Sequence, residues 1–220
     1  TSFDREEDRT FRPETSWNYE LGAKHPFLDN RLNAEFCFFW IDWKNQQIYQ
    51  MLATQNGQFL RNAGRSESKG VEVSLRTEVR STLMVQVNYG FTHATFKDYK
   101  DERRGIDYSG NFLPMVPRHT FAVGADYTIP NCRHIDRFTV SANYTGTGRI
   151  LWKEDNKVSQ PYYGLLNAKV SATKDFITFA IWAKNMTGAD YSAFYFETGG
   201  KGLAQKGRPF TIGGNIQLSF

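Results

Sequence analysis

The stretch Leu83-Met84-Val85-Gln86-Val87-Asn88-Tyr89-Gly90-Phe91-Thr92 alternates apolar and polar residues almost without a break. In an extended chain successive side chains point to opposite faces, so Leu83, Val85, Val87, Tyr89 and Phe91 share one side and Met84, Gln86, Asn88, Gly90 and Thr92 the other. A helix would mix the two classes around its circumference. The run also has the length, about 9 to 11 residues, with which a tilted strand crosses a membrane. Its polar side carries an amide pair, a glycine and a threonine but no charge, which suits an enclosed watery space better than bulk solvent.

The same pattern recurs on both sides of this stretch. Upstream, Trp17, Tyr19, Leu21 and Ala23 alternate with Asn18, Glu20, Gly22 and Lys24; Leu32, Ala34, Phe36, Phe38 and Trp40 form a second apolar face, and Val71, Val73 and Leu75 a third. Downstream come Phe121–Tyr127, Phe138–Tyr144, Leu166–Ala172 and Ile177–Ala183, each alternating, and a last strand in which Phe210, Ile212, Gly214, Ile216, Leu218 and Phe220 share a face. The reading is all-β, with nine strands of an antiparallel up-and-down transmembrane barrel. Trp17, Trp40, Tyr89, Tyr127 and Tyr144 lie near strand ends, where an aromatic girdle meets the membrane interface.

Composition agrees. A membrane helix needs roughly 20 consecutive apolar residues, and the run Phe36–Ile41 is closed by Glu35 and Asp42. A barrel strand faces lipid with every second residue only, so the low mean hydropathy is compatible with a membrane protein. Lys and Arg number 27 against 23 Asp and Glu, a net charge of +4 that is dispersed and forms no stripe for nucleic acid. Cys37 reads as mid-strand and Cys132 as a turn residue, poor partners for a bridge. The chain opens at Thr1 with the charged segment Asp4–Arg9 and no export signal, so a fragment or processed piece is expected.

Connection lengths give the strands a direction. Short turns are expected at His25–Arg31, Val79–Thr82, Asn131–Arg137 and Thr173–Asp175, and long loops at Asn45–Gln58, Lys97–Asn111, Lys153–Gln160 and Thr187–Gln205. Barrels of the Gram-negative outer membrane keep short turns on the periplasmic side and long loops outside. By that rule Phe220 lies on the periplasmic side.

Three stretches carry a family resemblance. Pro13-Glu14-Thr15-Ser16-Trp17-Asn18-Tyr19-Glu20-Leu21-Gly22 resembles a barrel strand of TonB-dependent outer-membrane receptors. Asn62-Ala63-Gly64-Arg65 followed by Gly70-Val71-Glu72-Val73 is similar to another, and Lys184-Asn185-Met186-Thr187, Tyr191 and Gly207-Arg208-Pro209-Phe210 leading to Phe220 resemble that family's closing segment. The resemblance implies the last nine strands of a barrel of about 22, occluded by an N-terminal plug. Residues 1–220 would be the C-terminal portion, with the plug and earlier strands absent; nothing here matches the plug or the segment that engages TonB.

What the resemblance implies about function is uptake of a scarce nutrient, most often a ferric siderophore, driven by TonB through the plug. The expected partners are outer-membrane lipid, the plug and missing strands, TonB, the barrel-assembly machinery and the ligand. Phe220, with apolar residues at alternate positions before it, looks like the signal read by that machinery. The competing reading is a small complete barrel acting as pore, adhesin or membrane enzyme, against which an odd strand count weighs.

No catalytic arrangement emerges, so an enzyme and a bound cofactor are not expected. His25, His93, His119 and His134 are scattered, and Cys132-Arg133-His134 reads as a turn rather than a metal site. Asn143-Tyr144-Thr145 and Asn185-Met186-Thr187 fit a glycosylation pattern but read as lumen polarity. Capture of a flat anionic iron complex calls for cationic and aromatic loop residues: Arg103, Arg104 and Tyr108, then Trp152 and Lys153, then Tyr191, Phe194, Tyr195 and Phe196. The lumen-facing charges Glu20, Glu35, Glu72, Lys169 and Lys184 are expected to meet the plug, since a base facing lipid at the midplane costs about 2 to 4 kcal/mol.

Overall fold

The alternating stretch around Val87 is the lower part of a 16-residue strand, Leu83–Asp98. A computed structural model describes residues 12–51, 58–62, 64–101, 104–132, 134–198 and 201–220. Among these residues nine strands form one sheet: β1 (Thr15–Phe27), β2 (Leu32–Lys44), β3 (Arg65–Arg80), β4 (Leu83–Asp98), β5 (His119–Cys132), β6 (Ile135–Thr147), β7 (Tyr163–Lys174), β8 (Ile177–Lys184) and β9 (Thr211–Leu218). Each pairs antiparallel with its sequence neighbours, an up-and-down order with no crossover. Among the described residues β1 and β9 each pair on one side only, so the sheet is an open wall.

The register lines up the apolar residues across strands. Ala34, Leu75, Val87, Val123, Tyr144 and Leu166 form one row through β2 to β7. A row higher up joins Leu21, Phe38, Val71 and Phe91. This face is not covered: Leu21 is 74% exposed, Ile181 64% and Ile216 66%. A face this broad and apolar needs a nonaqueous neighbour, and a bilayer supplies one. Tyr19 and Trp40 stack at 5.3 Å near its upper border, as girdle residues do.

On the opposite, concave face polar groups satisfy one another. Ser74 donates to Asn88 at 2.8 Å, Thr128 and Thr139 lie 3.2 Å apart, and Thr173 and Thr178 3.0 Å apart. Gly70 lies where Phe39 of β2 folds over β3; a methyl there would strike the Phe91 carbonyl oxygen and the Phe39 ring. Close passage of a neighbouring ring and backbone therefore explains the glycine.

The ends of the strands differ from the sequence-based boundaries. The short turns are tighter than expected, because β1 runs on to Phe27 and β6 begins at Ile135. The long loops are larger. Loop 1 spans 45–64 and contains the hairpin Gln47–Met51 with Gln58–Asn62. Loop 2 runs through 99–118 rather than ending at Asn111, because Leu113 and Phe96 exchange backbone bonds with Ala94 and Asn111 above the sheet. Loop 3 spans 148–162, and loop 4, residues 185–210, contains the hairpin Ser192–Thr198 with Lys201–Lys206. Both cysteines are free thiols.

Candidate functional site

A buried aromatic cluster forms where the upper end of β4 meets loop 2. Phe96, Tyr99 and Tyr108 stack in succession, with centroids 4.8 and 5.1 Å apart, against Ile48 and Leu113. The two short strands Lys100–Asp101 and Ile106–Asp107 close over it. Tyr99 N–H donates to Ser109 Oγ, and Ser109 N–H to Asp107 at 2.9 Å; the Ser109 hydroxyl, then its amide, hold the Asp107 carboxyl below the usual carboxylate range. Loop 2 thus has a small core of its own.

Loop 3 is locked onto it by two asparagines. Asn156 accepts from the Phe112 amide at 2.8 Å and donates to the Phe112 carbonyl at 2.9 Å, while Asn111 donates to the Glu154 carbonyl at 2.7 Å. The Met115 amide bonds the Leu151 carbonyl at 2.7 Å. Loop 4 joins through Ser192, whose amide donates to Gln160 Oε1 at 2.8 Å, and through Tyr191, stacked on Tyr163 at 4.3 Å. Asn185, expected as lumen polarity, is instead buried, its amide bonding the Ala189 and Arg208 carbonyls at 3.0 Å and so folding the base of loop 4.

At the junction of loops 3 and 4, Lys153 Nζ lies 2.6 Å from Glu197 Oε2, and the Tyr195 hydroxyl donates to Glu197 Oε1 at 2.8 Å. The Lys153 ammonium, then the Tyr195 hydroxyl, hold the Glu197 carboxyl below its ordinary range; Arg104 adds its charge. Burial works to lower the Lys153 pKa but is outweighed by Glu197 and Asp155, so it stays protonated. The hydrogen bond to Glu197, with some burial, raises the Tyr195 phenol. Arg104 also faces Tyr108, whose phenol is pushed up chiefly by burial.

Of the loop residues singled out from sequence, Lys153 and Tyr195 therefore meet at Glu197, a carboxylate that sequence reading missed, with the charge of Arg104 acting on it, while Tyr108 belongs to the buried cluster with Phe96 and Tyr99. Tyr108 and Trp152 are buried, at 6% and 8% exposure. Arg104 also pairs with Asp101, at 3.7 Å. Phe194 and Phe196 stand exposed on the loop 4 hairpin, and Arg103 lies outside the described residues.

The lumen charges divide by strand. Lys24 on β1 pairs with Glu35 on β2 beside a hollow that Glu72 on β3 also borders, while Glu20 on β1 accepts from the Asn18 side-chain amide. Lys169 and Lys184 on β7 and β8, with Asp126, Asn143, Asn167 and Trp182, line a concave hollow of about 560 Å³. Lys184 Nζ sits 5.1 Å from the Trp182 ring centroid. Phe220 is fully exposed and stacks on Phe176 at 5.7 Å.

The family model described as TonB dependent receptor-like, beta-barrel, matches residues 3–186. The chain belongs to this family. A TonB-dependent receptor-like barrel is a structure of the Gram-negative outer membrane, which accounts for the uncovered apolar face. The pesticin receptor of Yersinia pestis is 23% identical over 213 residues, 96% of this chain and 30% of that protein. The crystal structure of the ferric yersiniabactin uptake receptor FyuA from Yersinia pestis superposes with a TM-score of 0.80 at 21% identity, covering 96% of this chain and 30% of that one. The siderophore receptor PiuA from Acinetobacter baumannii gives 0.73 at 20% identity, with 96% and 29% covered. The chain spans about 30% of the length of the relatives it matches.

Proposed function

We propose that this chain is the C-terminal wall of a receptor that imports a ferric siderophore through a barrel of about 22 strands, and that its interlocked loops 2, 3 and 4 form part of the ligand site. The observation that carries this reading is the meeting of Lys153 and Tyr195 at Glu197, with the charge of Arg104 acting on it. Two cations and a phenol in a partly desolvated setting suit a flat, anionic iron complex, since charge-assisted bonds strengthen as water is excluded. A ligand carboxylate or catecholate would replace Glu197 as the partner of Lys153. Tyr108 and Trp152, being buried, serve by fixing the loops that carry Arg104 and Lys153. Relatives named as receptors for pesticin, ferric pyoverdine and catecholate siderophores support the substrate class.

In the same reading Glu20, Glu35, Glu72, Lys169 and Lys184 meet a plug domain whose coupling to TonB drives transport. Phe220, exposed beyond β9, is presented to the barrel-assembly machinery. The reading as a small complete barrel gains no support from a sheet whose two edges stay unpaired among the described residues. Growth under iron limitation tests the proposal. A strain lacking its own siderophore receptors should regain growth on at least one defined ferric siderophore when it expresses the full-length protein, and failure on a broad panel, with the receptor present in the outer membrane, would overturn it.

A further inference from the structure

The outward face of β2, β3 and β4 carries charge where the rest of the outward wall is apolar. Register pairs Trp40 with Lys69 and Lys69 with His93, so these three lie side by side on the same face as Phe38, Val71 and Phe91 one row below. Lys69 Nζ lies 3.4 Å and Lys97 Nζ 3.0 Å from the same oxygen of Glu67, and the Trp40 indole donates to the other oxygen at 3.1 Å. Glu67 is largely covered, while both ammonium groups remain open to the outside. Arg118 lies over the Phe91 and Phe112 rings, at 6.0 and 4.9 Å, and its charge, with those of Lys69 and Lys97, acts on His93. One carboxylate thus serves two ammonium groups, and Arg118 adds a further positive charge.

Depth sets what this cluster meets. Counting about 11 residues up from the short turn brings β4 to His93 and β3 to Gly70, so Lys69, Glu67 and Lys97 stand just above the hydrocarbon. That is the level of lipid headgroups on the side of the long loops. Directly beneath runs an outward groove of about 560 Å³, bordered by Phe38, Val71 and Phe91 below and by Lys69 and His93 above. An apolar channel capped by cations has the shape and polarity of a lipid with an anionic head.

We propose that this groove is a specific site for a phosphate-bearing lipid of the external leaflet, with its phosphate on Lys69 and Lys97 and an acyl chain along Phe38, Val71 and Phe91. Lipid recognition of this kind is independent of what the receptor imports. Cations beside an anionic headgroup layer each strengthen association several-fold, so removing two lowers affinity about thirtyfold.

The test uses the full-length receptor, stripped of lipid in detergent and offered bisphosphorylated lipid A or its dephosphorylated form, with retained lipid counted by native mass spectrometry. The wild type should retain the phosphorylated lipid and not the dephosphorylated one. Lys69→Gln/Lys97→Gln should weaken retention about thirtyfold, Lys69→Arg/Lys97→Arg should preserve it, and Lys157→Gln, in loop 3, should change nothing. Equal retention by wild type and the glutamine variant, equal binding of both lipid forms, or displacement by inorganic phosphate alone would overturn the proposal. If the glutamine variant fails to show the heat-modifiable mobility of a folded barrel, a salt titration of the wild type decides. Retention should fall steeply with ionic strength, and salt-independent retention would count against the site.

Discussion

Lys153 and Glu197 stand 44 residues apart in the chain, yet their side chains meet at 2.6 Å and tie loop 3 to loop 4. Both are partly shielded, and the Tyr195 hydroxyl completes the carboxylate's shell. If an anionic ligand takes Glu197's place, the two residues should have opposite effects. Lys153→Gln should weaken binding of a ferric siderophore to the full-length receptor about tenfold, the worth of a charge-assisted hydrogen bond, whereas Glu197→Gln should tighten it. Calorimetric titration checks this, and equal losses in both variants would show that the pair only scaffolds the loops.

The pH dependence of this junction has a definite sign. Lys153 and Tyr195 hold the Glu197 carboxyl below its ordinary range, so the pair contributes above the unfolded carboxylate pKa and is lost as pH falls through the lowered one. Protection from hydrogen exchange across Ser192–Thr198, taken relative to the intrinsic amide rate at each pH, should be flat from neutral pH down to the ordinary carboxylate range and fall only below it. A change in protection between pH 6 and 7 would contradict the assignment, since only a group titrating near neutrality, such as histidine, could cause it.

Asn156 holds both backbone groups of Phe112. Replacing it with alanine leaves a donor and an acceptor to find water, about 1 to 3 kcal/mol for each that stays buried. Asn156→Ala should raise protease sensitivity across residues 111–118 while leaving the barrel's heat-modifiable mobility unchanged. Unaltered cleavage there would mean that the Asn111 and Met115 bonds suffice.

Gly70→Ala should do the reverse, because the added methyl meets a backbone carbonyl as well as the Phe39 ring. Overpacking typically costs about 1 to 3 kcal/mol, felt here in the wall. The full-length variant should lose its folded mobility on gels at a lower temperature than wild type, with ligand affinity unchanged in the folded fraction.

The wall was readable in the sequence because lipid and lumen impose opposite demands on successive residues, a signal repeated at every strand. The nine strands and their facing follow from it, and Gly70 and Asn185 show what the family-like motifs do physically: one admits a crossing ring, the other folds a loop base. Loops obey no such period. Loop 2 extends to Arg118 because of backbone bonds to Ala94 and Phe96 that no local pattern announces. Tyr108 and Trp152 looked like ligand aromatics, yet the same chemistry suits a buried cluster. Glu197 sits in an aromatic run, and its importance depends on a partner in another loop. The Lys69–Lys97 cluster went unseen because β3 extends five residues before Gly70, above the part that alternates for the membrane.

Uptake of radiolabelled iron by cells expressing the full-length protein tests the central claim most directly, using its cognate ferric siderophore in paired strains with and without TonB. The account predicts saturable uptake that requires TonB and falls with Lys153→Gln. Uptake that persists without TonB, or binding with no import in either strain, would contradict it.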